Sequence, residues 1–256
     1  MENNKNFKEI INEGLQLEGR NAVLEALNSD RQIDKIWFKK GEIEGTLKLI
    51  KAKAKEKNIV VQEINKYKLD EISNSHNHQG VIAICPVKEY VEVDEILELA
   101  KVRNEDPFII ILDGITDTHN LGAIIRSANA AGAHGIIIPK RRAATLSGII
   151  SKTSAGAVNY MLVSRVTNIG NTIDELKRKG IWVHCGTMDG IPYFKSDLTG
   201  PVALVIGDEG NGISKLVEKK CDTKISIPMY GEVASLNASC ASSLLLYEVV
   251  RQRNFK

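Results

Sequence analysis

The stretch Pro201 to Leu246, PVALVIGDEGNGISKLVEKKCDTKISIPMYGEVASLNASCASSLLL, decides how the rest of the chain is read. It opens with a short apolar strand, Val202 to Ile206, that runs into a glycine-rich loop, Gly207 to Gly212, carrying Asp208 and Glu209. A second strand is predicted over Lys224 to Ile227, then a polar loop from Pro228 to Glu232. The tract Ser235 to Ser243 is almost entirely small residues, which lets backbone approach backbone or ligand closely. Glycine-rich turns after strands often cradle phosphate, but this loop lacks the lysine and hydroxyl residue of a P-loop and the glycine spacing of a dinucleotide fingerprint. A carboxylate in the middle of a phosphate cradle would also repel its ligand. A plain surface turn remains the alternative, since Gly, Asp and Asn are ordinary turn residues.

Upstream, DGITDTHNLGAIIRSANAAGAHG from Asp113 to Gly135 follows a continuous apolar run, Phe108 to Leu112, of the kind buried on both faces of a parallel sheet. Asn120 to Gly132 is predicted as a helix with Asn120 as its cap, and Gly135 to Ile138 as the next strand. Helix and strand keep alternating: Met161 to Val166, Asn168 to Lys179, and Ile181 to Gly186, whose end carries Thr187. Ligands of such sheets sit at the carboxyl ends of the strands. The loops at Gly186-Thr187, Gly207 to Glu209 and Ile227-Pro228 all fall there.

These three blocks, in this order, resemble the motifs of the SpoU, or TrmH, family of RNA ribose 2′-O-methyltransferases. Nearly the whole chain is similar to the subgroup that methylates a guanosine in 23S ribosomal RNA; a transfer-RNA guanosine is the alternative target. The resemblance implies an α/β fold of SPOUT type, a parallel sheet with a trefoil knot, binding S-adenosylmethionine as methyl donor. It implies donor-binding positions at Gly207, Ile227 and Leu236, with Thr187 and Ser235 as further candidates. Arg126, closing an N-x-G-x-x-x-R signature with Asn120, becomes the cationic group at the reacting hydroxyl. Guanidinium does not readily surrender a proton. Arg126 is therefore expected to bind the target phosphate and stabilise the forming alkoxide, with Glu209 positioning Arg126 or a backbone turn and Asn237 holding the closing loop. Asp208 stands where the family often has a small residue, adding charge near the pocket. A homodimer is implied as well, with contacts expected from the small-residue tract and Leu244 to Val250.

Residues 14–86 alternate helix and strand, with Ala22, Val23, Ala26 and Leu27 on one helical face and Leu47, Ile50 and Ala54 on another. This part resembles the small L30e-like RNA-binding domain of the same subgroup, including the turn from His78 to Ala83. Residues 1–13 are polar and expected to be a disordered tail. Residues 87–106 are charged and expected to be a linker, leaving 107–256 as the catalytic domain.

An apolar content of 43%, charged content of 26% and net charge of +2 are those of a globular protein without an overall basic bias. Positive charge is clustered instead, as in Lys48 to Lys57 and Lys140 to Arg142. Four scattered cysteines lack zinc-ligand spacing, and His76 with His78 make two potential ligands without a third, so no metal is expected. The polar start and the absence of long apolar runs lead to the expectation of a cytoplasmic protein with free thiols and no membrane segment. The rival readings are a catalytically silent RNA-binding protein, which the intact Asn120, Arg126, Glu209, Ser235 and Asn237 oppose, and a nucleotide-dependent dehydrogenase or kinase, which the missing phosphate loops oppose.

Overall fold

The structure is a computed structural model that describes residues 15–29 and 31–255, so the tail expected over residues 1–13 lies outside the described residues. The chain divides into two compact units, one reaching to Glu89 and including Thr145–Ile149, the other comprising Tyr90–Ala144 and Ile150 onward.

The first unit contains β1 (Leu15–Glu18), α1 (Arg20–Asn28), β2 (Lys35–Lys39), α2 (Thr46–Glu56), β3 (Val60–Ile64), α3 (Lys66–Ile72) and β4 (Val81–Cys85). Its strands lie in the order β1-β4-β2-β3, with β2 and β3 parallel and the other pairs antiparallel. All five residues of β4 are buried, as its unbroken apolar sequence demands of a strand covered on both faces. Alternation along β2 and β4 sends Ile36, Phe38, Val81 and Ala83 into one cluster with α1 and α2, and Trp37, Ile82 and Ile84 into another with Leu69 and Ile72 of α3. Strand β1 is an element the helical periodicity beginning at Gly19 did not announce.

The second unit opens with α4 (Val93–Arg103), inside the expected linker. Its charges line the outer face, while Ile96, Leu97 and Ala100 are buried, Ile96 and Leu97 in one cluster with Ile109, Ile111 and Ile137. A capping box between Glu92 and Glu95 starts it. The expectation of a linker over residues 87–106 is thus corrected: three apolar residues at helical spacing outweigh the charge of the other positions, and the second unit begins at Tyr90. The close seat of Ile96 also explains Gly135, where a β-carbon would lie 2.6 Å from Ile96 Cγ1.

The elements that follow are β5 (Phe108–Asp113), α5 (Thr118–Ala130), β6 (Gly135–Pro139), α6 (Gly148–Thr153), β7 (Leu162–Val166), α7 (Ile169–Arg178), β8 (Trp182–Pro192), β9 (Val202–Gly207), α8 (Lys215–Glu218), β10 (Thr223–Ser226) and α9 (Ala238–Asn254). Six parallel strands form the sheet β10-β8-β9-β5-β6-β7. The chain moves outward from β5 to β7, then builds the other half beside β5. The strand order reverses between β5 and β9, where Asp113 pairs with Gly207, and the carboxyl ends at such a switch point are the expected ligand crevice. The strand expected to end at Gly186 continues to Pro192. β10 pairs Lys224 with Cys185 and then Ile225 with Ile191, so residues 186–190 bulge from the ladder at the carboxyl edge.

Candidate active site

Helix α5 starts on Asp117, whose side chain accepts a hydrogen bond from His119 N at 2.7 Å. Asn120 is therefore the third residue of the helix rather than its cap, correcting the expectation, and its amide is free to reach across the crevice. Asn237 is the cap of α9: its Oδ1 accepts from Ser239 N at 3.0 Å and Cys240 N at 3.3 Å. Between the two helix starts lies Glu209. Its Oε1 accepts from Asn120 Nδ2 at 2.9 Å, from Ala238 N at 3.3 Å and from Asn237 Nδ2, while Asn237 Nδ2 also donates to Asn120 Oδ1 at 2.9 Å. A carboxylate is suited to this place because the unpaired N–H groups at the start of α9 favour negative charge. Three sequence blocks, separated by as many as 117 residues, thereby meet in one polar knot of side chains.

The loop that carries Glu209 is closed on itself. Gly212 N donates to Asp208 O at 2.9 Å, and the Asp208 carboxylate accepts from Gly210 N at 3.2 Å and Asn211 Nδ2 at 3.4 Å. Asp208 is turned into its own loop and holds the turn. Asp113, at the end of β5, accepts from Ser214 N at 2.8 Å and anchors the far side of the same loop, a role the sequence reading missed. An acidic residue closing a buried parallel strand was the available signal. Gly207 is obligatory for closure: a β-carbon would lie 2.2 Å from Gly212 C and 2.4 Å from Ile213 N. The space beside Gly207 is filled by backbone.

Arg126 stands on α5 well beyond Asn120, exposed and without a hydrogen-bond or ion-pair partner among the described residues. Glu209 does not hold it, contrary to one form of the expectation; the carboxylate is committed to Asn120, Asn237 and Ala238. The next residue, Ser127, meets Ser243 of α9 with their Oγ atoms 2.8 Å apart, so the small-residue tract is used partly for packing α9 on α5. Gly122 serves the same helix on another side, where a β-carbon would lie 1.8 Å from Thr153 Oγ1.

Of the expected donor-binding positions, Gly207, Thr187 and Ile227 fall at or just past the carboxyl ends of the neighbouring strands β9, β8 and β10. Ser235 and Leu236 lie in the segment between β10 and α9, both exposed. Leu236 lines an open, mainly apolar groove of about 710 Å³ with Tyr193, Cys240, Leu244 and Tyr247. Thr187 Oγ1 is buried without a well-formed hydrogen bond, although it lies close enough to the Asp189 carboxylate to help, after Lys224, hold that carboxyl below its ordinary range. A buried hydroxyl with spare capacity and apolar side chains left uncovered at strand ends fit a nucleoside, which needs both. Among the described residues no group of three or more His, Cys, Asp or Glu could hold a metal ion, and no helix is long and apolar enough to cross a membrane.

Residues 107–247 match the SpoU rRNA Methylase family, and residues 16–91 match a family described as RNA 2′-O ribose methyltransferase substrate binding. The chain is 46% identical to the Bacillus subtilis protein YacO, named for the TrmH family of tRNA/rRNA methyltransferases, over 92% of this chain and 95% of the relative. It is 44% identical to a Staphylococcus haemolyticus protein named for the same family, over 94% and 97% of the two chains. Among solved structures it is similar to the SpoU methyltransferase AviRb from Streptomyces viridochromogenes in complex with AdoMet, at a TM-score of 0.60 and 25% identity over 97% of both chains.

Proposed function

The chain belongs to the SpoU rRNA methylase family, and from that premise we propose that it methylates the ribose 2′-hydroxyl of a guanosine in 23S ribosomal RNA, with S-adenosylmethionine as donor. When bound, the donor supplies an electrophilic methyl group on sulfur. This chain's residues bind, orient and stabilise around it. Backbone at Gly207, the Thr187 hydroxyl and Ser235 would hold the nucleoside's polar edges, with Ile227 and Leu236 against the faces of its base. Arg126 would take the phosphate beside the target ribose and stabilise negative charge developing on the 2′-oxygen, the proton passing to water or a neighbouring acceptor. Asn120, Glu209 and Asn237 act by fixing the loop and both helix starts, so that little reorganisation remains at the moment of transfer.

The observation that carries this reading is the Asn120–Glu209–Asn237 knot beside an unpaired Arg126. An exposed arginine kept free next to a tightly ordered carboxylate suits a ligand phosphate better than a structural ion pair. The finer choice of 23S ribosomal RNA rests on the first unit, which matches a substrate-binding family, and on the description of the family as rRNA methylases. Such a substrate would place the protein's work in the cytoplasm. The family's trefoil knot is carried over with the fold. A homodimer is part of the proposal, because Leu244 and Tyr247 leave α9 about half exposed on its apolar side. A second copy would cover that face, while the small residues expected to do so are partly spent within the chain.

The test is to incubate the protein with labelled donor and unmodified total RNA, then map the nucleotide that becomes resistant to alkaline cleavage. A guanosine in 23S ribosomal RNA is expected; a transfer-RNA position would overturn the choice of target, and no labelled RNA would overturn the reading. Light scattering at fully active concentrations checks the dimer, which a monomer would reject.

A further inference from the structure

Cys185 and Cys221 form a pair that the proposed methyl transfer does not use. Cys185 is fully buried in the core of the second unit, on the last regular pair of β8 before the bulge at residues 186–190. Cys221 is partly buried and packs against the same cluster, which includes Ile213 and Val217. Its thiol lies 3.3 Å from Val217 O, and the two thiols are hydrogen-bonded to each other. The approach is held by backbone: Asp222 N donates to Val183 O at 2.8 Å, and Val183 N donates to Asp222 Oδ2 at 2.9 Å. Lys177 also pairs with Asp222 at 2.7 Å, so the residue after Cys221 is fastened to both β8 and α7.

The chain between these two sulfurs holds the bulge at 186–190, β9, Gly207 and the Glu209 loop. A covalent link between them would close a ring around the segments to which donor binding is assigned. We infer that Cys185 and Cys221 are a thiol pair that a diffusible small-molecule disulfide converts to an internal disulfide, restraining the donor-binding loops. Cys221 is the accessible member. Its sulfur, after losing a proton to water, attacks one sulfur of the small disulfide and expels the other as a thiolate. Cys185, likewise deprotonated, then attacks the Cys221 sulfur of the mixed disulfide and expels the second small thiol. Two protein thiols are oxidised and one small disulfide is reduced to two thiols. In a reducing compartment such a bond would be transient, as befits a sensor rather than a staple.

The covalent step is independent of the proposed function; its consequence rests on the donor-binding reading. The full chain carrying Cys240→Ser, which removes the exposed thiol, is incubated with oxidised glutathione and digested without reductant. The expected product links the Cys185 and Cys221 peptides, has lost two hydrogen atoms and is reversed by dithiothreitol. Cys221→Ser and Cys185→Ser in the same background should each abolish it. Calorimetry with S-adenosylmethionine on reduced and oxidised protein should show affinity changed about fivefold or more, the scale of ordinary coupling between sites, and Cys221→Ser should be insensitive to the oxidant. Absence of the linked peptide would overturn the pair. A linked peptide with unchanged donor affinity would overturn its consequence. Failure of the reduced protein to bind donor would instead count against the proposed function, leaving the linkage result to stand on its own.

Discussion

Each unit ties distant segments together through one glutamate, and the two are used differently. Glu18, at the end of β1, is partly buried and accepts from Ser73 Oγ at 2.6 Å, Asn74 N at 2.6 Å, Ser75 N at 3.2 Å and the Ser75 hydroxyl. Burial works against its charge, but the bonds from Ser73, Ser75 and the backbone of Asn74 and Ser75 outweigh that and hold the carboxyl at about 2. Glu209 has a comparable set of donors yet lies on an exposed glycine-rich loop at the carboxyl edge of a parallel sheet, beside an arginine with no partner. The first glutamate fastens a strand to the loop it supports. The second orders a surface whose remaining valences face outward. A saturated carboxylate inside a mixed sheet is a stability device, and one at a topological switch point is a positioning device.

The largest effect that would sharpen this contrast is expected at Arg126. Arg126→Ala should lower the single-turnover transfer rate by ~10²-fold or more if its charge acts mainly in the transition state. Donor affinity should stay near wild type, and loss of one phosphate contact should reduce the salt slope of RNA binding by about one. A full single-turnover rate in this variant would remove Arg126 from the chemistry.

Gly207→Leu should abolish measurable donor binding. The cause differs from that expected on sequence grounds, since the added side chain would strike Gly212 and Ile213 rather than ligand. Hydrogen exchange should show the 207–213 loop loosened while β5 and β9 keep their protection. Unchanged protection in that loop, together with lost binding, would restore direct obstruction of the ligand as the cause.

Glu209→Ala and Glu18→Ala test the comparison directly. The first should reduce transfer about tenfold to a hundredfold, the range of a small misplacement at a reacting centre, with little change in melting temperature. The second should cost the first unit about 1–3 kcal/mol, as removing a charged acceptor leaves several donors unpaired, with the single-turnover rate on saturating RNA preserved. Exchanged outcomes would reverse the assignment of the two glutamates.

The smallest effects are pH dependences of opposite onset. Glu18 has a folded value near 2 against an ordinary 4.5, so its stabilisation is complete above 4.5 and is lost as pH falls toward 2. In the second unit, burial lowers His134 despite Glu105, and burial lowers His184 despite Asp222 and Asp197. Both imidazoles are kept neutral in the fold. Their contribution is full above the ordinary 6.5 and declines as pH falls below it, because the unfolded chain then binds protons the folded chain refuses. Hydrogen exchange followed from pH 7.5 downward should therefore show the second unit weakening first. Simultaneous weakening of both units would break this part of the contrast.

Much of the catalytic unit was legible in order of sequence because buried parallel strands are unbroken apolar runs, as in Phe108 to Leu112 and Val202 to Ile206. The loops after them could be picked out as candidate ligand loops for the same reason. Asn120, Glu209 and Asn237 stood out through motif resemblance, but amino-acid types do not specify partners. Asparagine at either of two helix starts could cap its own helix, and only packing shows that Asp117 does so for α5 while Asn237 does so for α9. Likewise, the charges between residues 87 and 106 obscured the buried stripe of α4 until the sheet it covers was in place. The long-range register of β8 with β10, which expels residues 186–190 at the site's edge, depends on contacts across some thirty-five residues of chain and has no local signature. Local composition and spacing thus determined which segments are strands, helices and polar loops. Hydrogen bonds and close packing between segments far apart in the chain decided which polar atoms meet, and those are properties of the folded whole.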